Sequence, residues 1–111
     1  MKIHITQLCE KRTVSRDDGE KLNKVLREKW DEENIFDIDF ENILVASVSF
    51  IDEAFGKLAL QHTKEDLKRK LRFKNILKYD LALLNDIINS RLRQKETVEE
   101  TEKVEKNTKS N

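Results

Sequence analysis

The stretch IFDIDFENILVASVSFIDEAFGKL, residues 35–58, contains the strand and the helix that decide the fold. Its first six residues, IFDIDF, alternate between apolar and acidic side chains. That period of two is typical of a strand with one buried face. We therefore expect residues 35–40 to form an inner strand of a sheet, with Phe36, Ile38 and Phe40 on the buried face.

In the second half of this stretch, apolar residues recur at helical spacing. Phe50, Ala54 and Leu58 are four residues apart and would form one stripe on a helix. Ser49 precedes Asp52 by three positions, which is a variant of the capping box and predicts that the helix begins there. We expect a helix over residues 49–61.

The flanking sequence adds further strands and helices. Ser15, followed by two aspartates in the next three residues, predicts a helix at about residues 15–30, and a leucine and isoleucine stripe predicts another at 79–93. Alternation predicts strands at residues 1–6 and near 70–74, the second close to a sheet edge because lysines surround it. Strands alternating with helices predict an α/β fold, with helices packed on a small mixed sheet.

The predicted core follows from these assignments. It consists of Phe36, Ile38, Phe40, Phe50, Ala54, Leu58, Leu84 and Ile88.

The length of 111 residues indicates a single domain. The hydrophobic pattern stops after Arg93, and residues 94–111 are mostly Glu, Lys, Thr and Asn with two isolated valines. Such a segment buries too little apolar surface to offset its ordering entropy. We therefore expect a domain at residues 1–93 and a disordered polar tail at 94–111.

Charge and cysteine content restrict the class of protein. The 22 basic residues balance 22 acidic ones, which argues against a dedicated nucleic-acid binder. The single cysteine, Cys9, allows no internal disulfide and fits a reducing compartment. No apolar run is long enough to cross a bilayer, and the first residues do not resemble a signal peptide. We expect a soluble cytoplasmic protein without a membrane partner.

The sequence gives only weak indications of a catalytic or metal-binding site. Asp37 and Asp39 would lie on one face of a strand, roughly 7 Å apart, and could seat Mg²⁺ only with a third oxygen ligand. Cys9, His4 and His62 have no metal-ligand spacing, and their adjacency as a Cys–His nucleophile pair is open. Phosphate loops and nucleophile elbows are absent from the sequence. We expect no catalytic, cofactor-binding or metal-binding residue, and no enzyme.

The main charge cluster is the segment 64–78, in which seven basic residues accompany Glu65 and Asp66. It supports an alternative hypothesis, a nucleic-acid-associated regulator that uses this segment. A solvated surface is the simpler interpretation, since no aromatic platform for bases is interleaved except Phe73, which the alternation assigns to the core.

Residues 39–58, DFENILVASVSFIDEAFGKL, resemble the central strand, loop and helix of STAS domains, the fold of bacterial anti-sigma-factor antagonists. The segment is more closely similar to the STAS-like family of prokaryotic proteins. The matching features are an acidic residue at a strand end, a Ser-Phe pair, an acidic start of a helix and a glycine near its end: Asp39, Ser49-Phe50, Asp52-Glu53 and Gly56. The resemblance extends over about residues 13–93.

The resemblance implies a non-enzymatic regulatory module that binds a protein, possible partners being a histidine-kinase-like ATPase or another signalling protein. In STAS antagonists that kinase phosphorylates a serine at the start of the second helix. Here Val48 takes the position of that serine, Ser47 that of the preceding aspartate and Ser49 that of the following hydroxyl residue. The implied docking or phosphorylation residues are Ser49, Ser47, Asp39 and Asp52. We expect a monomer or a weak homodimer.

Overall fold

The computed structural model describes the backbone of residues 1–109 and the side chains of residues 1–96. The strands are β1 (Lys2–His4), β2 (Thr13–Val14), β3 (Phe36–Asp39), β4 (Val45–Ala46) and β5 (Leu71–Lys74). The helices are α1 (Ile5–Cys9), α2 (Arg16–Lys29), α3 (Val48–Ile51), α4 (Lys57–Ala59), α5 (Lys64–Lys70) and α6 (Lys78–Lys109). A π-helical turn at Asp52–Gly56 joins α3 to α4, and we call the continuous run, residues 48–59, the central helix.

The main sheet has β3 at its centre, which confirms the prediction for residues 35–40. Its strand order is β1-β3-β5, and both pairs are parallel. Ile38 lies opposite Ile3 on one side and Phe73 on the other. The α/β fold class is thereby confirmed, but the sheet predicted to be mixed is instead parallel at every strand pair within the described residues.

The main sheet buries one face and leaves the other open. Ile3, Phe36, Ile38 and Leu71 point into the core and are buried. The opposite face carries two cross-strand rows of charged or titratable side chains, all exposed or half-buried: Lys2–Asp37–Arg72 and His4–Asp39–Lys74. Both crossovers move in the same direction across the sheet, so right-handed connections place their helices on one face only.

Helix α2 begins where the sequence predicts. Ser15 is its N-cap, and Asp18 accepts a hydrogen bond from the Ser15 N–H at 3.0 Å in a capping box. A side chain at Gly19 would lie 2.6 Å from the Phe50 carbonyl oxygen and 2.9 Å from the Glu53 Cβ. Gly19 therefore lets α2 approach the backbone of the central helix closely.

The central helix is the middle of the core. Its buried residues are Phe50, Ile51, Ala54, Phe55, Leu58 and Ala59. The π turn alters the regular hydrogen bonding, and the Asn23 side chain donates a hydrogen bond to the Ala54 carbonyl at 3.2 Å. Of the eight predicted core residues, seven are buried and Ile88 is half-buried.

Two local features differ from the prediction. The predicted strand at residues 1–6 ends at His4, and Ile5 begins the short helix α1. The strands β2 and β4 pair in a second parallel sheet that the sequence did not predict. Each of these strands has only two residues, too few for an alternating pattern to be recognised.

Helix α6 extends beyond Arg93, where the sequence predicts its end. The backbone is helical to Lys109, in a segment for which we expect disorder. Glutamates precede lysines by four residues at 99/103, 102/106 and 105/109, a spacing that favours helix without any apolar stripe. Residues 110–111 of the predicted tail lie outside the described residues, and the domain boundary at residue 93 stays a prediction.

Candidate functional site

The carboxyl ends of β3 and β5 are tied together by Asp39. Its carboxylate accepts hydrogen bonds from the Glu41 N–H at 2.9 Å and from the Asn75 side chain at 2.8 Å. The bond from Asn75 is the main cause that lowers the pKa of Asp39, followed by the bond from Glu41. Asn42 and Asn75 both adopt a left-handed backbone conformation, with φ of 66° and 56°, which asparagine tolerates better than most residues. The loops after β3 and β5 therefore leave the sheet side by side at its carboxyl end.

The loop after β3 is held by backbone hydrogen bonds to the segment before α2. The N–H of Leu44 donates to the Arg12 carbonyl at 2.8 Å, and the N–H of Ser47 donates to the Val14 carbonyl at 3.1 Å. Between these bonds, β4 pairs with β2. These hydrogen bonds therefore fix the loop in position, although its sequence lacks the alternation of apolar and polar residues that is typical of a longer strand.

This fixed loop presents aliphatic side chains to solvent. Leu44 is 61% exposed, Val45 55% and Val48 57%. We call these three residues, together with Ser47 and Ser49 between and beside them, the loop surface. Three exposed aliphatic residues within five positions of the chain make this loop a candidate interaction surface.

Ser47, and not Ser49, caps the central helix. The Ser47 hydroxyl accepts a hydrogen bond from the Phe50 N–H at 3.0 Å, and the helix begins at Val48. The predicted cap at Ser49 is therefore wrong by two residues. Ser49 lies in the first helical turn and is half-buried. Both hydroxyls nevertheless lie at the start of the same helix, beside the exposed Val48.

Asp52, which the family resemblance assigns to docking or phosphorylation, forms an ion pair within the domain. Its two carboxylate oxygens accept hydrogen bonds from Arg91 at 2.9 and 2.5 Å. The hydrogen bond that Arg91 donates to Asp52 is the main cause that raises the pKa of Arg91. The pair joins the π turn to α6, so the carboxylate of Asp52 is already occupied.

His4, Asp39 and Glu41 have potential ligand atoms within 4.8 Å of one another. The sequence pattern paired Asp39 with Asp37 and did not predict this grouping, because the register of β1 against β3 brings His4 beside Asp39. Asp39 is already hydrogen-bonded to Asn75 and to the Glu41 N–H, and Glu41 is exposed. We assign this group a structural role at the strand end.

Cys9 and His62 lie in different surroundings. Burial, followed by the nearby Asp18, raises the pKa of the Cys9 thiol. The ring of His62 stacks on Trp30 with centroids 4.3 Å apart, and burial lowers its pKa. His62 is thus part of the packing around Trp30.

The basic residues of segment 64–78 are distributed over different surfaces. Lys70 donates to the carbonyls of Trp30 and Glu33 at 2.5 and 2.7 Å, and Arg69 pairs with Asp66 at 2.9 Å. Arg72 and Lys74 lie on the open face of the sheet beside Asp37. The nucleic-acid hypothesis, which needs a continuous basic patch, stays a prediction.

Comparison with known proteins gives one family and no individual relative. Neither the curated proteins nor the solved structures contain a significant match. In the described part of the chain, no helix is both long enough and apolar enough to cross a bilayer. A sequence model described as "STAS-like domain of unknown function (DUF4325)" matches residues 18–81, more than half of the chain. The match contains most of α2 and all of β3, the loop surface, the central helix and β5, and the chain therefore belongs to the family of STAS-like domains of unknown function.

Proposed function

We propose that this chain is a non-enzymatic regulatory module that binds a protein partner through the loop surface. The observation that carries the proposal is the exposure of Leu44, Val45 and Val48 on a loop that backbone hydrogen bonds hold in place. A fixed aliphatic surface loses little conformational entropy on binding, which favours affinity. Membership of a STAS-like family supports a regulatory protein interaction.

The two serines would make this binding sensitive to charge. Ser47 and Ser49 flank Val48 at the start of the central helix. A phosphate there would be stabilised by free N–H groups at the helix start, and it would add about two negative charges to an aliphatic contact surface. We propose a kinase-like ATPase as the partner class, with Ser47 or Ser49 as the modified residue.

Asp39 and Asp52 have supporting roles in this proposal. Asp39 fixes the end of β3 from which the loop leaves, and Asp52 fixes the central helix against α6. Their substitution should therefore affect affinity through the position of the loop surface.

Site-specific photocrosslinking tests the surface. A photoreactive residue at position 48, in cells that naturally express the protein, should capture a protein that the same residue at position 60 does not capture. Leu60 is the matched control because it is also partly exposed, at the far end of the central helix.

The captured protein is then purified and titrated with variants. Val48→Asp and Ser49→Asp should each weaken binding at least tenfold, whereas Leu60→Asp should leave the affinity unchanged. Ser47→Asp should keep the helix cap, because aspartate is a good N-cap, and should weaken binding. Equal affinities for the wild type and Val48→Asp would refute the loop surface as the binding site.

A further inference from the structure

We propose a second binding site, at the free edge of β5, which takes an extended segment of a protein partner with alternating apolar and acidic residues. The site is separate from the loop surface and does not depend on it. Three features support it: strand groups that face away from β3, an apolar groove beside them, and lysines on its rim that pair with no carboxylate within residues 1–96.

The first feature is the edge itself. Among the described residues, strand β5 has a partner strand on its β3 side and none on the other. The Phe40 N–H donates to the Lys74 carbonyl at 2.9 Å, so the peptide groups of Lys74 point toward β3. Because successive residues of a strand point their peptide groups to opposite sides, those of Phe73 point toward the free edge. Phe73 thus offers one donor and one acceptor to an added strand.

The second feature is an apolar groove beside this edge. It has a volume of about 440 Å³ and lies between α5, β5 and α6. Its apolar lining residues are Leu67, Leu71, Phe73, Leu84 and Ile88. An added strand would direct every second side chain into this groove, because side chains alternate between the two faces of a strand.

The third feature is the charge around the groove. The charged residues of its lining are Lys64 and Lys68, which are exposed and one helical turn apart on α5. Within residues 1–96 neither lysine pairs with a carboxylate. On the open face of the sheet, β5 carries Arg72 and Lys74, where the remaining side chains of an added strand would lie. Acidic residues at those alternate positions would therefore be stabilised.

The same charges disfavour a second copy of this chain as the occupant. Pairing two β5 edges would bring Arg72 and Lys74 of one copy close to those of the other. Like charges on neighbouring strands are destabilising, and lysine on an edge strand discourages such self-pairing. An acidic and apolar partner segment satisfies both the hydrogen bonds and the charges, a mode of recognition known as strand addition.

The experiment uses a fluorescent peptide of alternating valine and glutamate with glycine ends. One control peptide alternates valine and lysine. The other alternates valine and glutamate, but every second amide is N-methylated. The first peptide should bind saturably by fluorescence anisotropy and should slow hydrogen exchange of the Phe73 amide. Both controls should bind at least tenfold more weakly.

Surface variants assign the binding to this edge. The double variant Lys68→Glu/Arg72→Glu should weaken peptide binding at least tenfold, whereas Lys24→Glu, on the exposed part of α2, and Val48→Asp, on the loop surface, should not. Unchanged affinity for the N-methylated peptide or for the double variant would overturn the proposal. So would dimerisation through β5, seen by sedimentation and lost in Arg72→Glu, because it would identify a second copy as the occupant.

Discussion

At position 19, helix propensity favours alanine, whereas packing against the central helix requires glycine. Alanine would improve the intrinsic propensity of α2 by about 1 kcal/mol. An alanine Cβ at this position would, however, lie 2.6 Å from the Phe50 carbonyl oxygen, which belongs to the backbone of the central helix and cannot rotate away. Steric overlap in a packed interior costs roughly 1–3 kcal/mol, so packing outweighs propensity.

We expect Gly19→Ala to lower the free energy of unfolding, measured by urea denaturation. The matched control is Glu20→Ala, which replaces the next, exposed residue of the same helix and should change stability by less than about 0.5 kcal/mol. A Gly19→Ala protein as stable as the wild type would show that the two helices separate easily.

His62 makes stability depend on pH. Burial against Trp30 lowers its pKa below the ordinary value, so the folded state favours the neutral ring. The stabilisation is complete above the unfolded pKa of about 6.5 and declines as the pH falls from there through the lower folded pKa, because the unfolded state binds the proton first.

His62→Phe keeps an aromatic ring on Trp30 and removes the titration. Between about pH 7.5 and about pH 5.5, the melting temperature of the wild type should fall more than that of His62→Phe. Equal falls for the two proteins would show that other groups account for the pH dependence.

Ser47 and Ser49 show where the prediction of a single residue's role from the sequence fails. Ser15 was predicted correctly because a polar segment precedes it and aspartates follow at positions that favour a helix start. Ser47 and Ser49 are only two residues apart, and the three-residue spacing to Asp52 favoured the wrong one. The cap is decided by the pairing of β4 with β2, which ends at Ala46, and no local pattern reports that contact.

At the scale of elements, the contact between the π turn and α6 depends on Gly56. An alanine Cβ there would overlap Asp52 Oδ1 and lie 3.0 Å from Ile87 Cγ2. The substitution would therefore displace the Asp52 carboxylate from Arg91. Since both partners of this ion pair are partly exposed, the pair itself contributes about 1 kcal/mol or less.

A double-mutant cycle tests this connection. Arg91→Gln should destabilise the wild type by up to about 1 kcal/mol and the Gly56→Ala protein by less, since the pair is already broken there. Chemical denaturation of the four proteins gives the coupling. Identical costs of Arg91→Gln in both backgrounds would contradict the link between Gly56 and the ion pair.

Elements long enough to show several periods of the hydrophobic pattern were predictable, and short elements were not. Strand β3 and helix α2 contain enough residues for alternation and for a helical stripe to be distinguished. Strands β2 and β4 and helix α1 have between two and five residues, and their formation depends on tertiary contacts. The fixed loop surface depends on two of these short elements, which explains why its exposure could not be predicted in detail.

At the scale of the whole molecule, the sequence predicts helices packed on a sheet but not which surfaces remain open. The alternation in residues 35–40 places Asp37 and Asp39 away from the core, yet a helix could still cover them. The strand order β1-β3-β5 decides this, since it directs both crossovers to the opposite face. The groove beside β5 also depends on where α6 lies and could not be predicted.

The role of residues 96–111 in the stability of the whole domain can be tested by truncation. Near the end of residues 1–96, Lys95 of α6 donates a hydrogen bond to the His62 carbonyl at 3.1 Å. Deletion of residues 96–111 should change the melting temperature by less than about 4 °C, the shift that about 1 kcal/mol gives in a domain of this size.

Deletion of residues 91–111 is the control. It removes Arg91 and the half-buried Leu92 and should lower the melting temperature clearly. If the shorter deletion has as large an effect as the longer one, residues 96–111 pack on the domain.

The π turn also sets the rotational phase between the two ends of the central helix. The buried pairs Phe50–Ile51, Ala54–Phe55 and Leu58–Ala59 recur every four residues. A straight α-helix has 3.6 residues per turn, so such a stripe would drift by about 40° at each repeat. The π turn, with more than four residues per turn, compensates for this drift.

A straight α-helix over the same residues would rotate Phe50 by about 80° relative to Leu58, because each of the two four-residue repeats adds about 40°. With Leu58 held in the core, Val48 would then turn away from its present direction. Deletion of Glu53 removes one residue between Phe50 and Leu58, so a straight α-helix would bring the two residues to within about 20° of their present relative direction. Binding at the loop surface should therefore survive the deletion of Glu53. The π turn thus lets this helix hold one residue more than a straight helix whose ends point in the same directions.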